Sequence, residues 1–160
     1  MAHGASLPPA GRGAAVIRMQ PQNFDEVLEQ VVAADPRYHR EAYHFLREAL
    51  DYTQRAISKA NQGKLRHVSG QELLAGIRAF ALQQFGPMAL TLLHEWGLRR
   101  GEDFGELVFN LIDHGILSKT DTDTRVDFAG GYDFDEAFRK PFLPSRPLVP
   151  VAEVPAPQQP

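Results

Sequence analysis

Residues 87–128, PMALTLLHEWGLRRGEDFGELVFNLIDHGILSKTDTDTRVDF, decide the fold of this chain. Apolar residues recur at helical spacing on both sides of a short polar turn at residues 98–102, which indicates two short helices. We predict the first helix over residues 87–96 and the second over residues 103–114. Asp103 is the expected N-cap of the second helix, because a side-chain oxygen there can accept a free amide of the first turn.

A β-hairpin is expected directly after this helix pair. Gly115 ends the second helix, and the apolar pair at residues 116–117 begins a strand. Residues 125–128 alternate polar and apolar side chains, as a returning strand does, and the polar residues 119–124 between them form turns readily.

Three helices precede this stretch and a short one follows it. Apolar residues at helical spacing place them at residues 24–34, 36–62, 70–85 and 133–138. The fold class that results is mainly α, with five or six helices and one small β-hairpin.

Polar residues mark where these helices begin. Asn23 is predicted to cap the first helix and Asp35 the second, whereas Ser69 and Glu72 have the spacing of a capping box at the third. The second helix also carries a line of aromatic residues that points to the core: Tyr38, Phe45 and Tyr52.

Composition sets the limits of the domain. Residues 1–21 are rich in Gly, Ala and Pro and are expected to form a flexible leader, in which Met19 is an alternative start to Met1. Residues 22–140 are predicted to form a single mainly helical globular domain. Residues 141–160 carry seven prolines and are expected to be a disordered tail.

Residues 87–128 resemble a winged-helix domain, because a helix-turn-helix is followed at once by a hairpin. In that family the helix before the hairpin often reads the major groove of DNA. Here that helix would be residues 103–114, which contain Asp103, Glu106 and Asp113 but no Lys or Arg. Carboxylates repel phosphates, so the resemblance does not imply DNA reading through this helix.

Residues 67–138 also resemble a family of bacterial conserved hypothetical proteins. The motifs that carry this resemblance are SGQELL, FGPMAL, GEDFGELVFNLI and GGYDFDEAF. The resemblance covers the chain from about Phe24 to Phe138, and it implies neither a substrate nor a catalytic residue.

The composition is that of a soluble globular protein. The chain has 160 residues, 43% of them hydrophobic and 23% charged, and its net charge of -3 gives no overall attraction to nucleic acid or to an anionic membrane. It has no cysteine, which excludes disulfides and thiolate chemistry and is typical of a cytoplasmic protein. No apolar run reaches membrane-spanning length, so we expect no membrane association.

No motif in the sequence predicts a catalytic, metal or cofactor site. His39 and His44 are five residues apart and point to different sides of a helix, whereas a zinc-binding helix has a spacing of four. The acidic stretch at residues 121–132 resembles a calcium loop, but Val126 replaces the required glycine and Tyr132 the required glutamate. We therefore predict no catalytic residue, no metal ligand and no cofactor.

Charge is distributed unevenly along the chain. Residues 37–66 hold seven basic and three acidic residues, a net charge of about +4, whereas residues 69–138 hold five basic and twelve acidic residues, about -7. One interpretation is internal: the basic helix packs beside the acidic part. The other is a basic face that contacts RNA, DNA or an acidic partner. Six cations are its candidate contacts: Arg40, Arg47, Arg55, Lys59, Arg99 and Arg100.

Two functional hypotheses follow. The first is a non-enzymatic, winged-helix-like interaction or regulatory module whose partner is another protein. The alternative is a nucleic-acid-binding protein that uses the basic helix at residues 37–66, with affinity that falls steeply with salt. An enzyme with a site assembled from distant His and carboxylate residues is a third class.

Overall fold

The computed structural model describes residues 23–64, 66–118 and 125–144. The leader predicted at residues 1–21, the hairpin tip and most of the predicted tail lie outside the described residues. The described part is mainly helical, as predicted. Its elements are α1 (Phe24–Ala34), α2 (Arg40–Ala60), α3 (Gly70–Phe85), a 3-10 turn (Gly86–Met88), α4 (Ala89–Glu95), α5 (Gly101–Asp113), a 3-10 turn (Arg125–Phe128), a π-helical turn (Asp135–Arg139) and a 3-10 turn (Lys140–Phe142).

The predicted caps of α1 and α3 are confirmed. The Asn23 side chain accepts a hydrogen bond from the amide of Glu26 at 3.2 Å. Ser69 and Glu72 form the capping box, in which each side chain accepts from the backbone amide of the other. These bonds satisfy amides that the first helical turn leaves without a partner, so local sequence alone sets these two starts.

The predicted start of α2 at Pro36 is wrong. The helix begins at Arg40, and His39 caps it by accepting the amide of Glu41 on Nδ1 at 3.0 Å. Residues 36–38 form a turn instead, in which the Asp35 carboxylate accepts hydrogen bonds from the backbone amide and the guanidinium of Arg37, and from Asn110 of α5. The helix ends at Ala60, two residues before the predicted limit.

The helix pair at residues 87–114 exists, with shifted boundaries. Residues 86–88 are a 3-10 turn, so α4 is a helix of seven residues. The start of α5 at Gly101 makes Asp103 its third residue, and not its N-cap. The Asp103 carboxylate nevertheless accepts hydrogen bonds from the backbone amides of Arg99 and Arg100, at 2.8 and 3.1 Å. It therefore bonds free amides at the start of α5 from a position inside the helix.

The predicted β-hairpin is wrong within the residues that the structure describes. Residues 125–128 form a 3-10 turn, and Val126 and Phe128, which would share one face of a strand, are 70% and 2% exposed. Phe128 packs on Gly105 of α5, where an added Cβ would lie 2.9 Å from its ring. The Asp127 carbonyl accepts the Gln71 side chain at 2.8 Å, so helix contacts replace the pairing of strands.

The buried side chains of the described residues form one core, and α2 lies at its centre. The aromatic line of α2 is inside, as predicted: Tyr38 and Phe45 are 3% exposed and Tyr52 is partly buried. The Phe45 ring contacts the rings of four aromatic residues on α3, α4 and α5: Phe80, Phe85, Trp96 and Phe104. Phe134 and Phe138 of the last turns are buried as predicted.

Helices α2 and α3 approach each other closely at Gly76. A Cβ at this position would lie 1.8 Å from Oγ1 of Thr53, a buried residue of α2. Only the absence of a side chain permits this distance. Thr53 itself is satisfied within α2, because its hydroxyl donates to the carbonyl of Ala49 at 2.7 Å.

Candidate functional site

Three of the four predicted contact residues on α2 contact groups of the same chain. Arg40 pairs with Glu29 of α1 at 2.5 Å, and Arg55 pairs with Asp51 one turn earlier at 2.9 Å. The guanidinium of Arg47 lies over the ring of Phe24, 4.9 Å from its centre. Lys59 is exposed in the last turn of α2.

The other two predicted contact residues, Arg99 and Arg100, lie near the start of α2, whereas Lys59 lies in its last turn. Both are exposed in the connection between α4 and α5. This connection lies beside the start of α2, since the amide of His39 donates to the carbonyl of Trp96 at 3.0 Å. The 21 residues of α2 span roughly 30 Å. The structure therefore does not bring the six cations into one patch.

A polar network joins the α1–α2 corner to α5. The Asp35 carboxylate accepts from Nε and Nη2 of Arg37 at 2.8 and 2.7 Å, and from Nδ2 of Asn110 at 2.9 Å. The same amide group donates to the hydroxyl of Tyr43 at 3.0 Å. Arg37 also reaches Glu106 of α5 at 3.1 Å.

This network stabilises an ion pair and not a catalytic acid or base. The Arg37 guanidinium beside Asp35 holds the pKa of that carboxyl well below its usual range. Burial raises the pKa of Tyr43. A general acid or base needs a pKa near the working pH, and both shifts move away from neutrality. The Arg37–Glu106 pair also joins the basic stretch to the acidic part of the chain, as the internal interpretation of the charge pattern predicts.

The histidines and carboxylates of the described segments do not assemble into a metal site. No group of three or more such side chains is placed to hold an ion within the described ranges. His39 caps α2, and Nδ1 of His114 lies 2.9 Å from the carbonyl of Asn110. Nor does any helix in the described part have the length and apolar character needed to cross a membrane.

A polar cleft of about 640 Å³ lies along α2 and α3. Arg47, Glu48, Asp51 and Arg55 contribute side chains to it. The Arg55–Asp51 pair and the stacking of Arg47 on Phe24 already use three of these four groups. The cleft is therefore lined by side chains of both charges, most of which contact groups of the same chain.

A second depression, of about 470 Å³, is mainly apolar, and we call it the α2–α3 groove. Its walls are residues 52–61 of α2 and residues 72–79 of α3, and the Arg66–Glu72 ion pair, at 2.6 Å, marks one end. Six small or apolar residues line its middle: Ala56, Ile57, Ala60, Ala75, Gly76 and Ala79. The four alanines are exposed to solvent.

The groove results from how α2 and α3 cross. The helices are in close contact at Gly76 and Thr53, and the short alanine side chains beside this contact leave the space between the helices unfilled. The prediction of contact residues from the charge pattern did not include these residues. A signal is present in the sequence, since Ala56 and Ala60, and Ala75 and Ala79, have the i,i+4 spacing that places both members of a pair on one helix face.

The polar network and the groove are two arrangements of interest in the described residues, and the groove presents an open, mainly apolar surface. The resemblance of residues 67–138 to bacterial conserved hypothetical proteins stays a prediction. Comparison of the chain with protein-family models, with curated proteins and with solved structures finds no match.

Proposed function

We propose that this protein is a non-enzymatic interaction module, of regulatory or adaptor type, that binds a partner protein in the α2–α3 groove. The observation that carries this proposal is the apolar groove of about 470 Å³, lined by exposed alanines from two helices. Apolar grooves between helices are places where ligands and partner helices bind.

The nucleic-acid alternative has less support from the contacts. A phosphate-binding face needs several free cations close together, because each neutralised phosphate adds to the affinity. Arg40, Arg47 and Arg55 contact groups of their own chain, and Lys59 is roughly 30 Å from the start of α2.

Site-specific photo-crosslinking in native cells tests the proposal. A photoreactive amino acid replaces Ala79 in the groove and, as a matched control, Ala33, which is exposed on α1. We expect a discrete protein adduct from Ala79 that survives nuclease treatment and is missing from Ala33. The same adduct should be lost when Ala56 is changed to Glu in the crosslinking protein.

Three results would reject a protein-binding groove. They are adducts of equal yield from both positions, adducts that persist when Ala56 is Glu, and adducts that nuclease removes. The last of these would favour the nucleic-acid alternative. A second check is binding of a short fluorescent RNA or DNA duplex at low salt, for which we expect no saturable signal.

A further inference from the structure

We infer that the occupant of the α2–α3 groove is an amphipathic helix of a partner protein, with a small or apolar face and carboxylates at the end that meets the last turn of α2. This inference rests on the proposed function and adds the chemistry of the partner. Three features of the groove support this inference: its dimensions, the backbone chemistry of its walls and the charge near one end.

The walls of the groove exclude a ligand that binds by adding a β-strand. Both walls are α-helices, whose backbone N–H and C=O groups are bonded along the helix except in the end turns. They therefore offer no open sheet edge to an extended peptide. A ligand that satisfies its own backbone, as a helix does, loses no hydrogen bonds when it enters an apolar groove.

The size of the groove favours one helix over a second copy of this chain. Residues 52–60 of α2 rise roughly 12 Å, a little over two helical turns. Eleven described residues line the groove, roughly half of the 20–30 that one side of a stable dimer interface contains. Apolar positions at i, i+3 or i+4, and i+7 of a ligand helix would cover this length.

The alanines set the shape of the face that fits. Ala56, Ala60, Ala75 and Ala79 present only methyl groups, so a ligand helix can approach both walls closely. Large apolar residues fit best at the middle of the ligand stripe, beside Ile57 and Gly76, which are only partly exposed. Small residues fit best on its flanks.

Charge at one end of the groove specifies carboxylates. Lys59, Lys64 and Arg66 lie at or just after the end of α2, and all three are exposed. Glu72 is the acidic residue of this end, and it is already paired with Arg66. Lys59 lies three residues after Ala56 and is therefore its neighbour on the helix surface. Because Glu72 neutralises Arg66, the excess positive charge is that of Lys59 and Lys64, which neighbour the lining residues Ala60 and Asn61 and would attract acidic residues of an incoming helix.

The inference can be tested with designed helical probes and the ¹⁵N-labelled full chain. The acidic probe is a 15-residue helical peptide with one Ala/Leu stripe and glutamates at one end. A basic probe has lysines in place of those glutamates, and a scrambled probe has the acidic composition without the stripe. Amide shifts in NMR spectra report where each probe binds and its Kd.

We expect the acidic probe to shift amides of residues 52–61 and 72–79, with a Kd about tenfold lower than that of the basic probe at low salt. High salt should reduce this difference. The double variant Lys59→Glu/Lys64→Glu should reverse the preference. Ala79→Glu should abolish binding of both helical probes, and Ala33→Glu should have no effect. Unchanged CD spectra and unchanged midpoints of urea unfolding show that these surface variants fold.

The outcomes separate failure of this inference from failure of the proposed function. Equal affinity for the acidic and basic probes would overturn the carboxylate preference but leave the groove as a binding site. A scrambled probe as tight as the acidic one would overturn the amphipathic helix. If no probe shifts groove amides while crosslinking at Ala79 captures a partner, the partner segment is not an amphipathic helix, but the groove is still a binding site. If both experiments fail, both proposals fall.

Discussion

The contact between Gly76 and Thr53 predicts that Gly76→Ala destabilises this protein, against the usual trend in helices. Ala is about 1 kcal/mol better than Gly in a helix interior, and Gly76 lies in the middle of α3. The new Cβ, however, would lie 1.8 Å from Oγ1 of Thr53, 2.8 Å from its Cβ and 2.9 Å from its Cγ2. Rotation of Thr53 about χ1 cannot remove the clash, because the Thr53 Cβ does not move in that rotation and itself lies 2.8 Å away.

The helices must therefore move apart. Overpacking of this kind costs about 3 kcal/mol at its upper range, so after the gain in helix propensity we expect a net loss of about 2 kcal/mol. Urea unfolding followed by CD measures this loss as a lower midpoint. Ala75→Gly, at the exposed neighbouring position, calibrates helix propensity in the same helix and should cost about 1 kcal/mol.

A double-mutant cycle with Thr53→Ala isolates the contact. Thr53→Ala removes the contacts of Oγ1 at 1.8 Å and Cγ2 at 2.9 Å and leaves that of Cβ at 2.8 Å. The cost of Gly76→Ala should then fall by at least about 1 kcal/mol. A higher urea midpoint for Gly76→Ala alone, or a cycle with no coupling, would refute the packing of α2 on α3 described above.

Two further predictions concern the core and the charges. Trp96→Ala should lower the free energy of unfolding by about 3 kcal/mol, because Trp96 packs on Phe45 and Phe85. This value is near the lower limit for a buried aromatic residue, since Trp96 is partly exposed. Urea unfolding with no loss of stability would contradict this core role. The hydrogen bonds from Arg66 lower the pKa of Glu72 from 4.5 to about 2, so the stability that Glu72 contributes is present above pH 4.5 and is lost as pH falls towards 2. The unfolding free energies of the wild type and Glu72→Gln, measured across this range, should converge near pH 2, and a constant difference would contradict the lowered pKa.

Helix positions could be predicted from the sequence because they depend on local features. The capping residues Asn23 and Ser69 act within their own first turns, so their spacing is sufficient evidence. The buried aromatic line of α2 likewise follows from a seven-residue interval. Local patterns of this kind carry most of the α content that the structure shows.

The wrong predictions arise where distant residues decide a conformation. Asp35 has the position of an N-cap, but Asn110 of α5, 75 residues away, also binds its carboxylate, and α2 starts later. Residues 125–128 alternate like a strand, but Gly105 provides a recess for Phe128 and leaves Val126 exposed. Neither long-range partner can be identified from periodicity.

The candidate site could not be predicted from charge, because the decisive residues carry none. The six cations selected for a binding role are distributed along about 30 Å, and several serve the fold. The groove depends on the crossing of α2 and α3 at Gly76, which is a property of tertiary packing. The i,i+4 alanine pairs become informative only after that crossing is known.

Stability and binding should therefore respond to different positions of the same groove. Gly76 is needed for the helices to meet, whereas Ala56 and Ala79 beside it are exposed and contribute little to the core. Glu, Lys and Gln form helices nearly as well as Ala, so the fold does not require alanine at exposed positions. Four short side chains on one shared face instead keep the groove open. A charged residue at Ala79 should thus change the free energy of unfolding by no more than about 0.5 kcal/mol while it blocks an incoming helix. Substitution at this position therefore tests binding separately from folding.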